Sequence, residues 1–163
     1  MQTPQLAVLV VGNGGREHAL ALALARDPAV TRLYCAPGNP GTASVATNYP
    51  LNINDPRAVV TLARRLRVDL VVVGPEAPLV AGVADAVRGA GLACFGPSAA
   101  AARLEGSKVF AKTVMSSAGV PTARSRYCES LAEVADALDH FGAPHVVKDD
   151  GLAAGKGVIV TDD

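Results

Sequence analysis

The chain has 163 residues, half of them hydrophobic, which is enough for one domain, or for one domain and part of another. Fifteen basic residues balance fifteen acidic ones, and this neutrality argues against a general nucleic-acid or membrane-surface binder, which would carry a basic excess. No apolar stretch reaches the length of a membrane span, the first residues lack the basic start of a signal peptide, and Cys35, Cys94 and Cys128 are widely spaced. The sequence therefore predicts a cytoplasmic protein with reduced cysteines that binds neither nucleic acid nor membrane.

Apolar runs rich in β-branched residues alternate with helical patterns over the first hundred residues. The predicted strands are 6–11, 31–36, 69–73 and 92–95, and the predicted helices are 16–26, 55–66, 79–89 and 98–104. Asp55 is the expected N-cap of the second helix, with Pro56 at its first position. Strand-helix alternation favours right-handed βαβ units, so the expected fold class is α/β: an open, mostly parallel Rossmann-like sheet with helices on both faces.

Three glycine or proline turns follow predicted strands of this sheet, at residues 12–15, 37–41 and 74–78. The carboxyl ends of parallel strands lie at one edge, and sheets of this class bind their ligands there. The three turns are therefore expected to outline one pocket.

The pattern changes after Gly106. The sequence predicts a helix at 107–118, a strand at 123–127, a helix at 131–141 and a strand at 145–148. The final apolar run, up to Val160, is interpreted as a strand whose partners are missing. The predicted domains are residues 1–104, a helical linker at 105–121 and the incomplete beginning of a second domain at 122–163.

The first glycine turn resembles a dinucleotide fingerprint but departs from it. Gly12 and Gly14 are followed by Glu17 where the third glycine belongs, and a carboxylate there is expected to fit tight helix-sheet packing poorly. Two interpretations stay open. Free amides at the helix start, helped by Arg16, bind an anion; or the turn only links strand to helix, with Arg16 solvated and Glu17 balancing the helix dipole.

The second glycine stretch, GLAAGKG at residues 151–157, lacks the spacing and the serine or threonine of a Walker loop. Flexible glycines between two strands, flanked by Lys148 and carrying Lys156, suit a lid over nucleotide phosphates. A surface hairpin with lysines for solubility is the alternative. The apolar strand before Lys148 favours the lid, because a buried lysine needs an anionic partner.

Five segments together resemble one family: VGNGGREHALALALA, APGNPGTA, VVVGPEAPLVAGVADA, GPSAAAARLEGSKVFAK and VVKDDGLAAGKGVIV. They are similar, in this order, to the N-terminal part of the phosphoribosylamine–glycine ligases, which are ATP-grasp enzymes of purine biosynthesis. The resemblance implies ligation of glycine to 5-phosphoribosylamine at the expense of ATP, giving glycinamide ribonucleotide, with a pre-ATP-grasp sheet followed by the start of an ATP-grasp domain.

The resemblance also implies site residues by position, although it assigns no catalytic residue. Residues expected to surround the phosphosugar are Gly12, Asn13, Gly14, Gly15, Arg16, Glu17, Pro37, Gly38, Asn39, Gly74, Pro75 and Glu76. Residues expected to approach ATP are Lys108, Lys148, Gly151, Leu152, Ala153, Ala154, Gly155, Lys156 and Gly157. The resemblance implies Mg²⁺ (or Mn²⁺), but no metal ligand within this chain, since the family's ligands are expected beyond residue 163. The expected partners are small molecules, and a monomer is the expected state.

Two departures from the family pattern bear on function. Asp149 stands where the family usually has alanine, and its carboxylate would repel ATP phosphates. The chain is also expected to be an N-terminal portion that is inactive alone. The alternatives are another ATP-grasp ligase or carboxylase, or a non-catalytic phosphosugar-binding module.

Overall fold

The computed structural model describes residues 5–153 and 155–162, and it divides after Ala102 into two compact units. In the described residues, no helix is both long and apolar enough to span a bilayer. The predicted domain boundaries stay predictions, and the one at residue 104 falls inside a helix (Ala99–Gly106).

The first unit contains a five-stranded, all-parallel sheet. Its strands are β1 (Leu6–Gly12), β2 (Val30–Pro37), β3 (Thr47–Asn48), β4 (Leu70–Val73) and β5 (Ala93–Phe95). They lie in the order β3-β2-β1-β4-β5. Its helices are α1 (Gly15–Leu24), α2 (Pro56–Leu66), α3 (Glu76–Val80) and α4 (Val83–Gly89), and α5 (Ala99–Gly106) spans the boundary to the second unit. The predicted α/β class is confirmed.

The core lies on both faces of β1, which explains its uninterrupted apolar sequence. Leu9 and Val11 belong to one buried cluster with residues of α2 and α4. Val8 and Val10 belong to a second cluster with Ala21 of α1. Helices therefore cover both faces of the sheet. The central strand β1 is fixed by this packing, and so is the position of the turn that follows its carboxyl end.

The boundaries of α2 follow local sequence signals. Asp55 accepts hydrogen bonds from the amides of Arg57 and Ala58, at 2.9 and 3.2 Å, and Pro56 begins the helix, so the predicted cap is confirmed. The predicted helix over 79–89 is instead two helices, α3 and α4. Gly82, in the left-handed conformation at φ +87°, separates them.

The second unit contains α6 (Lys108–Ser117), α7 (Leu131–Phe141), β6 (His145–Lys148) and β7 (Val158–Thr161). Two expectations were wrong. Residues 123–127 form no strand, and the final apolar run does have a partner, since β7 pairs antiparallel with β6. Of the described residues after Ala102, Ala137 alone is buried, so this unit contributes little core.

Candidate functional site

The three turns of the first unit do meet at the carboxyl edge of the sheet. β1 lies between β2 and β4, so the turns that follow these strands are neighbours. The amide of Gly38 donates to the carbonyl of Gly12 at 3.1 Å, and the amide of Gly74 donates to the carbonyl of Val11 at 3.0 Å. The structure thus brings the predicted phosphosugar residues of the three turns to one place.

Glu17 fits the helix-sheet contact well, which corrects the expectation that a carboxylate there would fit poorly. Its side chain is buried and fills the space that side chains at Gly12 and Gly74 would occupy. Its Oε2 accepts a hydrogen bond from the amide of Gly14 at 2.8 Å, and its Oε1 accepts one from Nε of Arg16 at 2.9 Å. Gly12 at the end of β1 and Gly74 just after β4 therefore make room for a buried, hydrogen-bonded carboxylate, and position 12 also requires glycine for its φ of +137°.

Arg16 joins the first turn to the third. Its Nη1 and Nη2 donate to the two carboxylate oxygens of Glu76, at 2.8 and 3.4 Å, while Nε holds Glu17. The side chains of Arg16 and Glu76 are 53 % and 42 % exposed, so the pair faces solvent at the mouth of the edge. Glu76 therefore lies against the first turn through Arg16, with part of its side chain exposed.

One guanidinium, that of Arg16, lies between the carboxyl groups of Glu17 and Glu76. The hydrogen bonds to Glu76 and Glu17 raise the pKa of Arg16 above its ordinary value, so it stays protonated. The hydrogen bond from Arg16 also lowers the pKa of Glu76, which keeps that carboxylate ionised. Arg16 is thus committed to two carboxyl groups and is not the uncommitted cation that an anion site would use.

Asn39 anchors the second turn to the first. Its Nδ2 donates to the carbonyls of Asn13 and Gly14, at 2.9 and 3.2 Å, and its Oδ1 accepts from the amide of Thr42 at 2.9 Å. The buried hydroxyl of Thr42 donates a hydrogen bond to the carbonyl of Asn39 and accepts one from the amide of Asn39 at 2.8 Å. The side chain of Asn39 is thus used to hold the turn in shape.

The remaining predicted residues of this edge offer backbone groups. Asn13 and Gly15 are exposed at the start of α1, where helix geometry leaves the first amides without intrahelical partners. Pro75 occupies the N-cap position of α3, and Gly38, at φ +72°, lies against Asn48. The edge thus combines backbone amides, which are donors suited to an anionic group, with the Glu76 carboxylate, which is an acceptor suited to hydroxyl groups.

The second unit carries the other predicted site. The glycine stretch at residues 151–157 connects β6 to β7, as predicted, and the amide of Asp149 closes its base by donating to the carbonyl of Gly157 at 2.9 Å. Within the loop, the amide of Lys156 donates to the carbonyl of Ala153 at 2.8 Å. Gly151, Leu152, Gly155 and Gly157 lie in the same loop, and Ala154 lies outside the described residues.

The lysines are not placed alike. Lys108 meets the loop, because its Nζ donates to the carbonyl of Gly151 at 2.7 Å. Lys148 is exposed at the end of β6, so the argument from a buried lysine does not hold. Asp149 is exposed beside Gly157, and its expected effect on ATP stays a prediction.

The sequence reasoning assigned no role to Asp150. Its carboxylate reaches the start of α6, 42 residues away in the chain, where it accepts the amide of Lys108 at 2.6 Å. No local pattern signals a contact over that separation. The packing role of Glu17, in contrast, has a signal in the sequence, because Gly12 and Gly74 lack the side chains that would occupy the space of its carboxylate.

Two family models match consecutive parts of the chain and together cover residues 6–163. Residues 6–105 match the family described as phosphoribosylglycinamide synthetase, N domain, and residues 106–163 match its ATP-grasp (A) domain. A phosphoribosylamine–glycine ligase of Streptomyces coelicolor is 66 % identical over 158 residues, which are 97 % of this chain and 38 % of that protein. One of Mycobacterium leprae is 60 % identical over 163 residues, or 97 % of this chain and 39 % of that protein. This chain thus spans less than half the length of these relatives.

Solved structures agree with the fold. The crystal structure of a phosphoribosylamine–glycine ligase from Thermotoga maritima is 33 % identical, with a TM-score of 0.77, over 97 % of this chain and 36 % of that one. A carboxyaminoimidazole ribonucleotide synthase from Aspergillus clavatus, solved with ATP, has a TM-score of 0.75 at 21 % identity, over 98 % of this chain and 42 % of that one. The second likeness concerns the fold alone.

Proposed function

The chain belongs to the phosphoribosylglycinamide synthetase family, and from this premise we propose that it serves the ATP-dependent joining of glycine to 5-phosphoribosylamine in purine biosynthesis. The observation that supports the proposal most strongly is the sequence identity of 66 %, over nearly the whole chain, to a phosphoribosylamine–glycine ligase. The carboxylase and synthase alternatives have no comparable support, since their likeness is one of fold.

In this proposal the carboxyl edge of the sheet binds the phosphosugar. The phosphate lies at the start of α1, near the amide of Gly15, since the amide of Gly14 is already held by Glu17, and Arg16 moves from Glu76 towards it. Glu76 is then free to accept hydrogen bonds from ribose hydroxyls. The ionised carboxylate of Glu76 disfavours phosphate alone, so the edge selects a ligand that supplies both a phosphate and hydroxyl groups.

The second unit supplies the phosphate-binding parts for ATP. Lys108 contacts the loop at 151–157 through the carbonyl of Gly151, and this loop follows Lys148 and contains Lys156. ATP, when bound, supplies the phosphoryl group that activates the glycine carboxylate. Positive charge and positioning are what such a transfer requires of the protein.

Among residues 5–153 and 155–162, no three histidine, cysteine, aspartate or glutamate side chains converge as a metal site would need. The described residues therefore do not fit a complete metal-binding set by themselves.

The proposed partners are the small substrates, with no nucleic acid or membrane, and the proposed state is a monomer. A cytoplasmic location accords with three free cysteines, Cys35, Cys94 and Cys128.

The proposal is tested by titrating ribose 5-phosphate into the labelled chain and following backbone amide shifts by NMR, with ribose and inorganic phosphate as separate ligands. We expect ribose 5-phosphate to shift the amides of residues 12–17 and to bind more tightly than either part. Arg16→Ala should weaken binding about tenfold, the value of one charged hydrogen bond.

The matched control is Arg26→Ala, which removes an exposed arginine just beyond the other end of α1. Its affinity should equal that of the unaltered chain. Shifts confined to other parts of the sheet, or an Arg16→Ala variant of unchanged affinity, would remove the phosphosugar site from the account.

A further inference from the structure

Asp150 has more contacts than its place in a surface loop requires. Its Oδ1 accepts from the amides of Lys108 and Val109, at 2.6 and 3.2 Å, and its Oδ2 accepts from the hydroxyl of Ser107 at 2.8 Å. These bonds lower the pKa of Asp150 and keep it charged. The carboxylate therefore sits at the positive end of α6, where a negative charge is stabilised.

The start of α6 is consequently already occupied. Ser107 is the N-cap, and its Oγ accepts the amide of Phe110 at 3.1 Å, while Asp150 takes the two amides before it. A helix start whose first amides have internal acceptors has no donors left for a phosphate. If the start of α6 binds a ligand, the contact must therefore be made by a side chain and not by these amides.

That side chain belongs to Lys108. Its backbone and its ammonium group are held by two consecutive residues, Asp150 and Gly151. Its backbone amide donates to Asp150, and its ammonium donates to the carbonyl of Gly151. We propose that Asp150 is a positioning residue: it fastens the first residues of the glycine loop to α6 and so fixes the place from which Lys108 reaches a bound phosphate. The contact of Lys108 with a bound phosphate rests on the proposed function, whereas the attachment of the glycine loop to α6 by Asp150 does not.

The neighbouring residues provide matched controls. Asp149 carries the same charge one position earlier, but it contacts the loop base and Gly157 and not α6. Lys112, one helical turn after Lys108, has its own partners, since its Nζ donates to Thr122 Oγ1 at 2.7 Å and to the carbonyl of Ala123 at 2.5 Å. Loss of the fastening should expose Lys108 and leave Lys112 unchanged.

The experiment measures the acylation rate of each lysine by mass spectrometry, in the full chain without nucleotide. In Asp150→Ala we expect Lys108 to react about fivefold faster, the factor for loss of one helix-cap interaction. Asp150→Asn should give an intermediate rate, because its carbonyl oxygen can still accept the amides. Asp149→Asn should leave the rate at Lys108 unchanged.

Three results would overturn the proposal. An equal rise at Lys112 would mean that α6 frays as a whole; an unchanged rate at Lys108 would mean that Asp150 does not position it; and an equal effect of Asp149→Asn would mean that charge alone matters. A second arm adds ATP to the unaltered chain. If ATP fails to protect Lys108, its phosphate role falls while the fastening stands, so the two failures are distinguishable.

Discussion

Glu17 determines the shape of the first turn through its size as much as through its charge. The buried carboxylate receives the Gly14 amide and orients Arg16, and it fits only because Gly12 and Gly74 lack side chains. A conventional dinucleotide turn instead places a small residue on the helix at this point. Here the helix instead presents a large buried side chain, and the glycines opposite it provide the space.

Gly74→Ala tests this arrangement. The added methyl group would overlap the Glu17 carboxylate, which is buried and hydrogen-bonded through both oxygens, so we expect the free energy of unfolding to fall by about 1–3 kcal/mol. Urea denaturation followed by circular dichroism measures it. Gly89→Ala is the control, because its methyl group would meet no atom within 4 Å and should be neutral or stabilising. Equal stability of the Gly74→Ala chain would contradict a tight fit.

The Arg16–Glu76 pair predicts the pH behaviour of the edge. Because the hydrogen bond from Arg16 lowers the pKa of Glu76, the stabilisation by the pair is present above the ordinary carboxyl pKa and is lost as the pH falls through the lowered value. Both side chains are partly exposed, so the effect on stability is small, about 1 kcal/mol or less. We expect NMR titration of the Glu76 carboxyl to show a midpoint that rises in Arg16→Ala. An unchanged midpoint would mean that the pair is not formed in solution.

At the scale of elements, Arg67 ends α2 in the left-handed conformation, at φ 51° and ψ 52°. Glycine adopts this conformation without the steric cost that a Cβ imposes. We therefore expect Arg67→Gly to be more stable than Arg67→Ala by about 1 kcal/mol in thermal denaturation. Comparing these two variants cancels the loss of the arginine side chain, and equal stabilities would show that the backbone is unstrained there.

Elements with strong local signals were predictable. The α2 cap, the limits of α7 and the limits of β6 agree with sequence patterning, because capping residues, periodicity and β-branched runs act over short distances. Residues 123–127 have a strand-like composition but no partner, so they form no ladder. The short strand β3 depends on Tyr34 and Cys35 of β2 for its pairing, which no local pattern reveals.

The site was predictable to a similar degree. The meeting of the three turns followed from sheet topology, since parallel strands end at one edge. The pairing of Arg16 with Glu76, the use of Asn39 as an internal anchor and the reach of Asp150 to α6 all depend on side chains 25 to 60 residues apart. Such contacts are set by packing and not by spacing in the sequence.

At the scale of the whole molecule, the two units differ in how much they bury. The first has both of the buried apolar clusters, which include β1 and β4, whereas Ala137 is the one buried residue among those described after Ala102. Burial of apolar surface is the main stabilising contribution to folding, so the units should differ in local stability.

We therefore expect amide hydrogen exchange to resolve two levels of protection. The amides of β1 and β4 should exchange only through global unfolding, because they are buried and paired on both sides of the strand. The amides of β6 and β7 should exchange far faster, since a two-stranded ladder with exposed valines is marginally stable by itself. Asp55→Ala, which removes the cap of α2, provides the control: it should lower protection in the first unit and leave that of β6 and β7 unchanged. Equal protection of all four strands would mean that the chain unfolds as one cooperative body, and that the exposed hairpin is stabilised by more than its own contacts.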